Sequence, residues 1–212
     1  HVLLWDGNKL YAGGLFTTAG NMTANYIAQW DGNTWSALGT GMDSHVYAFA
    51  FDGTNLYAGG HFTSAGGVSS SRIAKWDGNV WSALGYGVDN TVYTLAWDGN
   101  KLYAGGLFTN TDGVTANRIA QWNGSTWSAL GSSPDSAVHV LLWDGNKLYA
   151  GGLFTTAGNM TANYIAQWDG STWSALGTGM NDQVIALAHD GTNLYAGGLF
   201  TIAGGITANR VA

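Results

Sequence analysis

Residues 46–91 read VYAFAFDGTNLYAGGHFTSAGGVSSSRIAKWDGNVWSALGYGVDNT, and close variants of this 46-residue unit recur along the whole chain. Each copy contains the string LYAGG. Its tyrosines are Tyr11, Tyr57, Tyr103, Tyr149 and Tyr195. Self-similarity at a fixed period of roughly 20–50 residues is the sequence signature of a repeat architecture. The 212 residues hold four full periods and part of a fifth.

The repeats predict one domain over residues 1–212, built from closely related units. These units are 1–46, 47–92, 93–138, 139–184 and the partial 185–212. Residues 1–42 and 139–180 differ only where Asn33 corresponds to Ser171. Such near-identity indicates recent amplification, or design, more than long independent drift.

Four short strands are predicted within each unit. In the second unit they are Val46–Phe51, Leu56–Phe62, Arg72–Trp76 and Trp81–Leu84. Asp-Gly turns at 52–55 and 77–80 join them in pairs, and Asp-Gly between apolar runs is a strong hairpin signal because Gly and Asn tolerate positive φ. We therefore expect Trp76 and Trp81 to pair across a hairpin. The two glycines of LYAGG mark a close backbone approach.

Four antiparallel strands in a repeat of this length indicate a propeller blade, since propeller repeats run to about 40–50 residues. The predicted fold is all-β: a β-propeller of four-stranded antiparallel blades, with five blades of which the fifth is incomplete. The simplest arrangement is a ring closed by packing the fifth blade on the first. The fifth blade would then present an open strand edge, which invites strand addition. We expect either further blades in a longer array or self-association through this edge.

The units resemble kelch-type propeller repeats. Residues 92–131 follow that pattern, with an apolar inner strand VYTLAWDG, the KLYAGG strand and the Trp-bearing RIAQWNGSTWSALG. The resemblance covers every copy and extends to galactose-oxidase-type propellers, Rax2-type fungal polarity proteins and bacterial surface propellers. It implies a propeller fold but no single function. Galactose oxidase needs copper and a Cys–Tyr cofactor, and this chain has no cysteine. No cofactor is predicted.

Composition excludes several classes of partner. Only 9% of the residues are charged, the net charge is -6, and all 13 acidic residues are aspartates. With 7 basic residues the chain lacks the electrostatic footprint that phosphate backbones require, so no nucleic-acid partner is expected. No apolar run approaches the ~18 residues of a membrane span, so no membrane insertion is expected.

The alternation of strands places the loops on two faces. The Asp-Gly turns form one face, here called the turn face. The long loop at 63–71 and the crossover between blades at 85–91 form the other, the loop face. Loops held by a rigid scaffold commonly carry function, so the loop face is the predicted binding face. Its candidate ligand-binding residues are Tyr26, Arg72, Arg118, Tyr164 and Arg210.

Acidic residues recur in the crossovers as Asp43, Asp89 and Asp135, with Asn181 in the fourth. One interpretation is a ring of oxygen ligands for a hard cation such as calcium. The other, which the turn preferences of Asp and Asn favour, is that these side chains cap turns. We therefore predict no metal site and keep Asp43, Asp89 and Asp135 as calcium candidates.

No catalytic pattern appears in the sequence. There is no GxSxG, no HExxH and no glutamate for an acid/base pair. The five histidines are scattered, and most replace small or apolar residues of other copies. We predict a non-enzymatic chain.

Two functions remain open. The first is a structural or protein-interaction scaffold in a secreted or cell-surface protein. The alternative is a lectin with repeated sites between blades, because WDGNTW resembles strings of small fucose-binding propellers. Its sugar-stacking candidates are Trp35, Trp81, Trp127 and Trp173. These indoles could equally pack between blades. The expected partner is thus a protein or a glycan.

Overall fold

A computed structural model describes residues 1–212, and every regular element in it is a β-strand. The Asp-Gly turns show why the strands form where they do. Asp52 Oδ1 accepts the backbone N–H groups of Thr54 and Asn55 at 2.8 and 2.7 Å, and Gly53 has a φ of 95°. The other carboxylate oxygen accepts the Tyr57 hydroxyl at 2.8 Å. One aspartate therefore closes the turn and fastens it to the LYAGG strand.

Each complete unit contributes six strand segments, numbered here along the chain. Blade 1 contains β1 (Val2–Trp5), β2 (Leu10–Gly13), β3 (Thr18–Ala19), β4 (Met22–Thr23), β5 (Ile27–Trp30) and β6 (Trp35–Ala37). Blade 2 contains β7 (Val46–Phe51), β8 (Leu56–Gly60), β9 (Ser64–Ala65), β10 (Val68–Ser69), β11 (Ile73–Trp76) and β12 (Trp81–Ala83). Blade 3 contains β13 (Val92–Trp97), β14 (Leu102–Gly106), β15 (Asn110–Thr111), β16 (Val114–Thr115), β17 (Ile119–Trp122) and β18 (Trp127–Ala129).

The last two blades follow the same order. Blade 4 contains β19 (Val138–Trp143), β20 (Leu148–Gly152), β21 (Thr156–Ala157), β22 (Met160–Thr161), β23 (Ile165–Trp168) and β24 (Trp173–Ala175). Blade 5 contains β25 (Val184–His189), β26 (Leu194–Gly198), β27 (Ile202–Ala203) and β28 (Ile206–Thr207). No helix capable of spanning a membrane is present.

Blades 1 to 4 are four-stranded antiparallel sheets, as the sequence predicts, with the order β7-β8-β11-β12 in blade 2. Trp76 and Trp81 pair across the outer hairpin, so the pairing predicted from the sequence is confirmed. One structural element was not predicted from the sequence. The long loop of each blade folds into a two-stranded hairpin such as β9-β10, because Gly66 and Gly67 adopt positive φ values of 57° and 83° at its tip.

The glycine pair of LYAGG lies where neighbouring blades meet. A Cβ atom on Gly59 would lie 2.6 Å from Val92 Cγ1 in the next blade, and one on Gly60 would lie 2.0 Å from the His45 carbonyl oxygen. The predicted close backbone approach is therefore confirmed. Beside each junction the phenylalanine that follows the glycines is fully buried. These core residues are Phe62, Phe108, Phe154 and Phe200.

The arc of blades remains open. Inner strands of successive blades pack against one another from β1 to β25, whereas β25 and β1 do not pack together in this way. The side chain of Trp5 is 61% exposed, and Tyr195 is 44% exposed. The expectation of a closed five-bladed ring is therefore wrong for this structure. Because β1 and β25 do not pack together as successive inner strands do, the outward sides of blades 1 and 5 stay exposed. The main sheet of the fifth blade consists of β25 and β26, with a short pairing of Gly197 with Val211, and its long loop carries the hairpin β27-β28.

Candidate functional site

The outer-strand tryptophans link each blade to the preceding one. Trp81, Trp127 and Trp173 donate their indole N–H groups to carbonyl oxygens of the blade before, at 2.8 to 2.9 Å. The accepting residues are Leu38, Leu84 and Leu130. The three indoles are only 4–6% exposed, which leaves little aromatic face for a sugar ring. Trp35, in blade 1, is half-buried, since no blade of this structure packs against it in the same way.

A small open cavity lies beside the Trp pair in two blades. In blade 2 it measures about 280 Å³ and is lined by residues including Gly39, Gly66, Asn79 and the edges of Trp76 and Trp81. The corresponding cavity of blade 1 measures about 370 Å³. The paired indoles are tilted, with ring centroids 5.3 Å apart in blade 2. These cavities are the places where a small polar ligand could meet an indole edge.

The crossover aspartates fasten neighbouring blades. Asp43 accepts the Thr63 backbone N–H at 2.8 Å, the Thr63 hydroxyl at 2.5 Å and the Ser64 N–H at 3.0 Å. Asp89 and Asp135 make equivalent bonds in the next two junctions. Both carboxylate oxygens thus already have donors. No group of three or more His, Cys, Asp or Glu side chains lies together as a metal site would need.

These bonds lower the pKa of the three carboxyls. Partial burial opposes ionisation, but the hydrogen bonds from threonine hydroxyls and backbone N–H groups outweigh it and hold the pKa of Asp43, Asp89 and Asp135 below the usual range. A carboxyl whose pKa is lower in the folded state stabilises the fold above its unfolded pKa of about 3.9, and that stabilisation is lost as pH falls through the folded pKa.

We expect the melting temperature to be nearly constant from pH 7 to about pH 5 and to fall below about pH 4, because protonation removes the acceptors. The melting temperature of the triple variant D43N/D89N/D135N should fall less on acidification than that of the unmodified protein. Asn181 already shows that an amide fits, since its Oδ1 accepts the Thr201 N–H at 2.8 Å and its Nδ2 donates to the Thr201 hydroxyl at 3.0 Å. Calorimetric scans across this range provide the measurement. Equal acid sensitivity of the two proteins would contradict a role for the crossover carboxylates.

The candidate ligand-binding residues of the loop face share an unusual backbone. Tyr26, Arg72, Arg118, Tyr164 and Arg210 have φ between 64° and 73°, the left-handed region that non-glycine residues rarely adopt. Their N–H groups bond to the phenylalanine carbonyl ten residues earlier, as Arg72 does to Phe62 at 2.9 Å. Side chain and backbone therefore hold the long loop in place. Strained non-glycine residues of this kind are often associated with functional sites.

The inner strands carry an aromatic arc that was not predicted from the sequence. Each of β7, β13 and β19 has a bulge at its second residue, and these residues are Tyr47, Tyr93 and His139. The rings of Tyr47 and Tyr93 are 5.9 Å apart, and those of Tyr93 and His139 are 5.4 Å apart. A β-bulge changes the direction of the side chain at its extra residue. Here the bulges allow the aromatic side chains of three neighbouring blades to form one continuous surface. The signal in the sequence was the recurrence of Tyr or His at this step.

Titratable groups of the arc are shifted by their surroundings. Burial, together with Tyr47, raises the pKa of Tyr93. Burial lowers the pKa of His139, whose Nε2 atom is buried without a hydrogen-bond partner. His45 lies beside the arc, with Nδ1 3.0 Å from the Tyr47 hydroxyl. The arc is thus an aromatic surface with polar groups at its edge.

Comparison with known proteins supports the propeller. Residues 100–129 match a family described as "Domain of unknown function (DUF5122) beta-propeller". A search of curated proteins gave no match. The computationally designed Ika8 protein is similar, with 22% identity, a TM-score of 0.60, and coverage of 97% of this chain and 55% of that one. The WD40 beta propeller domain of Doa1 shares 15% identity, with a TM-score of 0.60 and coverage of 91% and 58%.

A chain of the Mitotic Checkpoint Complex is also similar, at 20% identity, with a TM-score of 0.61 and coverage of 92% of this chain and 59% of that one. At such identities the likeness concerns the fold alone. The chain spans little more than half the length of these three structures. The all-β propeller repeat is therefore confirmed, while its kelch-type or galactose-oxidase-type character stays a prediction.

Proposed function

We propose that this chain is a non-enzymatic β-propeller module that serves as a structural or protein-interaction scaffold. The observation that carries the proposal is the repeated junction. Trp127 and Asp89 join blades 2 and 3 by side-chain hydrogen bonds, and equivalent residues form such bonds in the other junctions. Such a frame presents the loop face as a rigid surface, and rigidly held loops are the usual place for recognition.

The setting of this scaffold is a secreted or cell-surface protein, with a protein as its partner. The resemblance of the units to Rax2-type and bacterial surface propeller repeats supports this location. Self-association is a further part of the proposal. It is supported by exposed apolar side chains on blade 5, where Ile206 is 73% exposed and Val211 is 67% exposed. Exposed apolar surface of this kind commonly marks an interface.

A lectin is the second candidate, and the cavities beside the Trp pairs favour it. A polar side chain, Asn79, and an indole edge meet there in a space of about 280 Å³. Against it, the Trp81 indole is almost fully buried and its N–H is already bonded. The scaffold is therefore the function that the geometry supports better.

The test screens one protein sample for two kinds of ligand. A phage-displayed library of random heptapeptides is panned on the immobilised chain, and the same chain is applied to a glycan array. We expect enriched peptides and no glycan signal. Light scattering on the sample should show concentration-dependent association. Glycan binding without peptide enrichment would overturn the scaffold in favour of the lectin, and a strict monomer would exclude self-association.

A further inference from the structure

Cationic side chains are sorted between the two faces. All four lysines lie in or next to the Asp-Gly turns, where the backbone N–H of Lys101, for example, donates to Asp98 at 2.6 Å. All three arginines lie on the loop face. Arg72 and Arg118 immediately precede β11 and β17, and Arg210 precedes Val211, which pairs with Gly197. The planar guanidinium is the cation best suited to bind a carboxylate through two hydrogen bonds, so this sorting concentrates such donors on one face.

Two of these guanidinium groups are free to meet an anion. Arg72 Nη1 donates to the His61 and Phe62 carbonyls at 2.8 and 3.3 Å, and Arg118 donates to the Leu107 carbonyl. All of these acceptors are backbone oxygens, which do not neutralise the positive charge. Each guanidinium has five N–H donors, so most of them remain available.

Carboxylates on the same face do not compete for these donors. In the junctions on either side of blade 2, Asp43 and Asp89 direct their oxygens to the backbone and hydroxyl groups of Thr63 and Thr109. Asp112, at the tip of the blade 3 hairpin, accepts the Tyr86 backbone N–H. The acidic side chains of blades 2 and 3 are thus engaged within the frame, while the two arginines are not.

The two residues whose carbonyl groups bind the arginines, His61 and Leu107, are both hydrogen-bonded to Thr91. The carbonyl of His61 accepts the Arg72 guanidinium, and the Nδ1 atom of His61 lies 2.8 Å from the Thr91 hydroxyl. The carbonyl of Leu107 accepts the Arg118 guanidinium, and the Leu107 N–H donates to the Thr91 carbonyl at 2.9 Å. Since Thr91 is two residues before Tyr93, these hydrogen bonds link both arginines to the start of the inner strand that carries Tyr93.

The arc supplies the rest of a recognition site. Tyr47, Tyr93 and His139 form a row of aromatic rings 5.4 to 5.9 Å apart on three adjacent inner strands. Aromatic rings with polar tips are well suited to contact peptide side chains at protein interfaces. The surface therefore combines two unpaired guanidinium groups with a rigid aromatic platform.

We propose that Arg72, Arg118 and the arc of Tyr47, Tyr93 and His139 bind an acidic segment of a partner protein. This inference rests on the proposed scaffold function and names the partner's chemistry. Each guanidinium group binds an aspartate or glutamate carboxylate of the segment, and the neighbouring side chains of the segment lie on the aromatic rings. A long polyanion such as a nucleic acid fits less well, because the net charge of -6 repels it.

The chain itself offers the test variant. Tyr26 and Tyr164 occupy the arginine positions of blades 1 and 4, so R72Y/R118Y places natural residues of the repeat at these sites. The control is K101Q/K147Q, which removes the same charge from the turn face. Peptides enriched from a random heptapeptide library on the unmodified chain are measured by fluorescence anisotropy against all three proteins. Circular dichroism melts show whether each variant is folded.

We expect the enriched peptides to carry Asp or Glu. R72Y/R118Y should weaken their binding by on the order of 10–100-fold, because charged hydrogen bonds are lost, whereas K101Q/K147Q should bind within about 2-fold of the unmodified chain. Replacing the peptide Asp or Glu by Asn or Gln should have the same effect as R72Y/R118Y. Enriched peptides without acidic residues, or equal binding by R72Y/R118Y, would overturn the inference and leave the scaffold function intact. The absence of any enriched peptide would overturn both.

Discussion

The substitution Gly59→Ala should destabilise the protein by about 1–3 kcal/mol, which is the usual cost of adding a methyl group to a well-packed core. The new Cβ would lie 2.6 Å from Val92 Cγ1 and 3.3 Å from Leu95 Cγ. Both are buried side chains of the next blade and cannot yield without moving its inner strand. A change of this size should lower the melting temperature by roughly 2–10 °C in a domain of about 200 residues.

Gly197→Ala is the matched control for this prediction. Gly197 stands at the same position of the repeat in blade 5, three periods later, but a Cβ there would meet no atom closer than 3.7 Å. The LYAGG sequence is the same at both sites, but β26 has neither a following blade nor the two outer strands that pair beyond β8 in blade 2, so the new Cβ meets no packed side chain. Similar melting temperatures for both variants would show that the blade junction is not the reason for the glycine.

The substitution Trp127→Ala should cost about 3–5 kcal/mol, the range observed for truncating a buried tryptophan. The indole is 4% exposed and donates to the Leu84 carbonyl of blade 2 at 2.9 Å. Its removal opens a cavity between two blades and leaves a buried carbonyl without its donor. Urea unfolding, followed by tryptophan fluorescence and circular dichroism, gives the loss of unfolding free energy.

Trp35→Ala provides the comparison. Trp35 occupies the same position in blade 1, pairs with Trp30 in the same way, and is only half-buried because no blade of this structure packs against it in the same way. Its truncation should therefore cost less than half as much as that of Trp127. If the two substitutions are equally damaging, the tryptophan stabilises its own hairpin, and the role in blade-to-blade packing assigned here is wrong.

The face on which the candidate residues lie could be predicted from the repeat, but the contacts that these residues make could not. The alternation of turns placed Arg72 and Tyr26 on the loop face. The sequence could not show that Arg72 is bonded to a backbone carbonyl instead of a carboxylate, because that depends on how the long loop folds back. The arc around Tyr93 was missed for a similar reason. A β-bulge changes the face on which a residue lies, and strict alternation along a strand does not reveal it.

By itself the sequence determined the repeat, the four strands of each blade and the turns between them. These features are local: an Asp-Gly pair between apolar runs needs only its own carboxylate and the positive φ of a residue such as Gly53 to form a hairpin. The tertiary structure alone decided how blades meet. Whether Trp35 is covered, whether Gly59 has room for a methyl group and whether the first blade reaches the last all depend on the rotation between blades. That rotation is the sum of many contacts between residues about 46 positions apart, such as Trp127 with Leu84. No single unit contains both sides of these contacts.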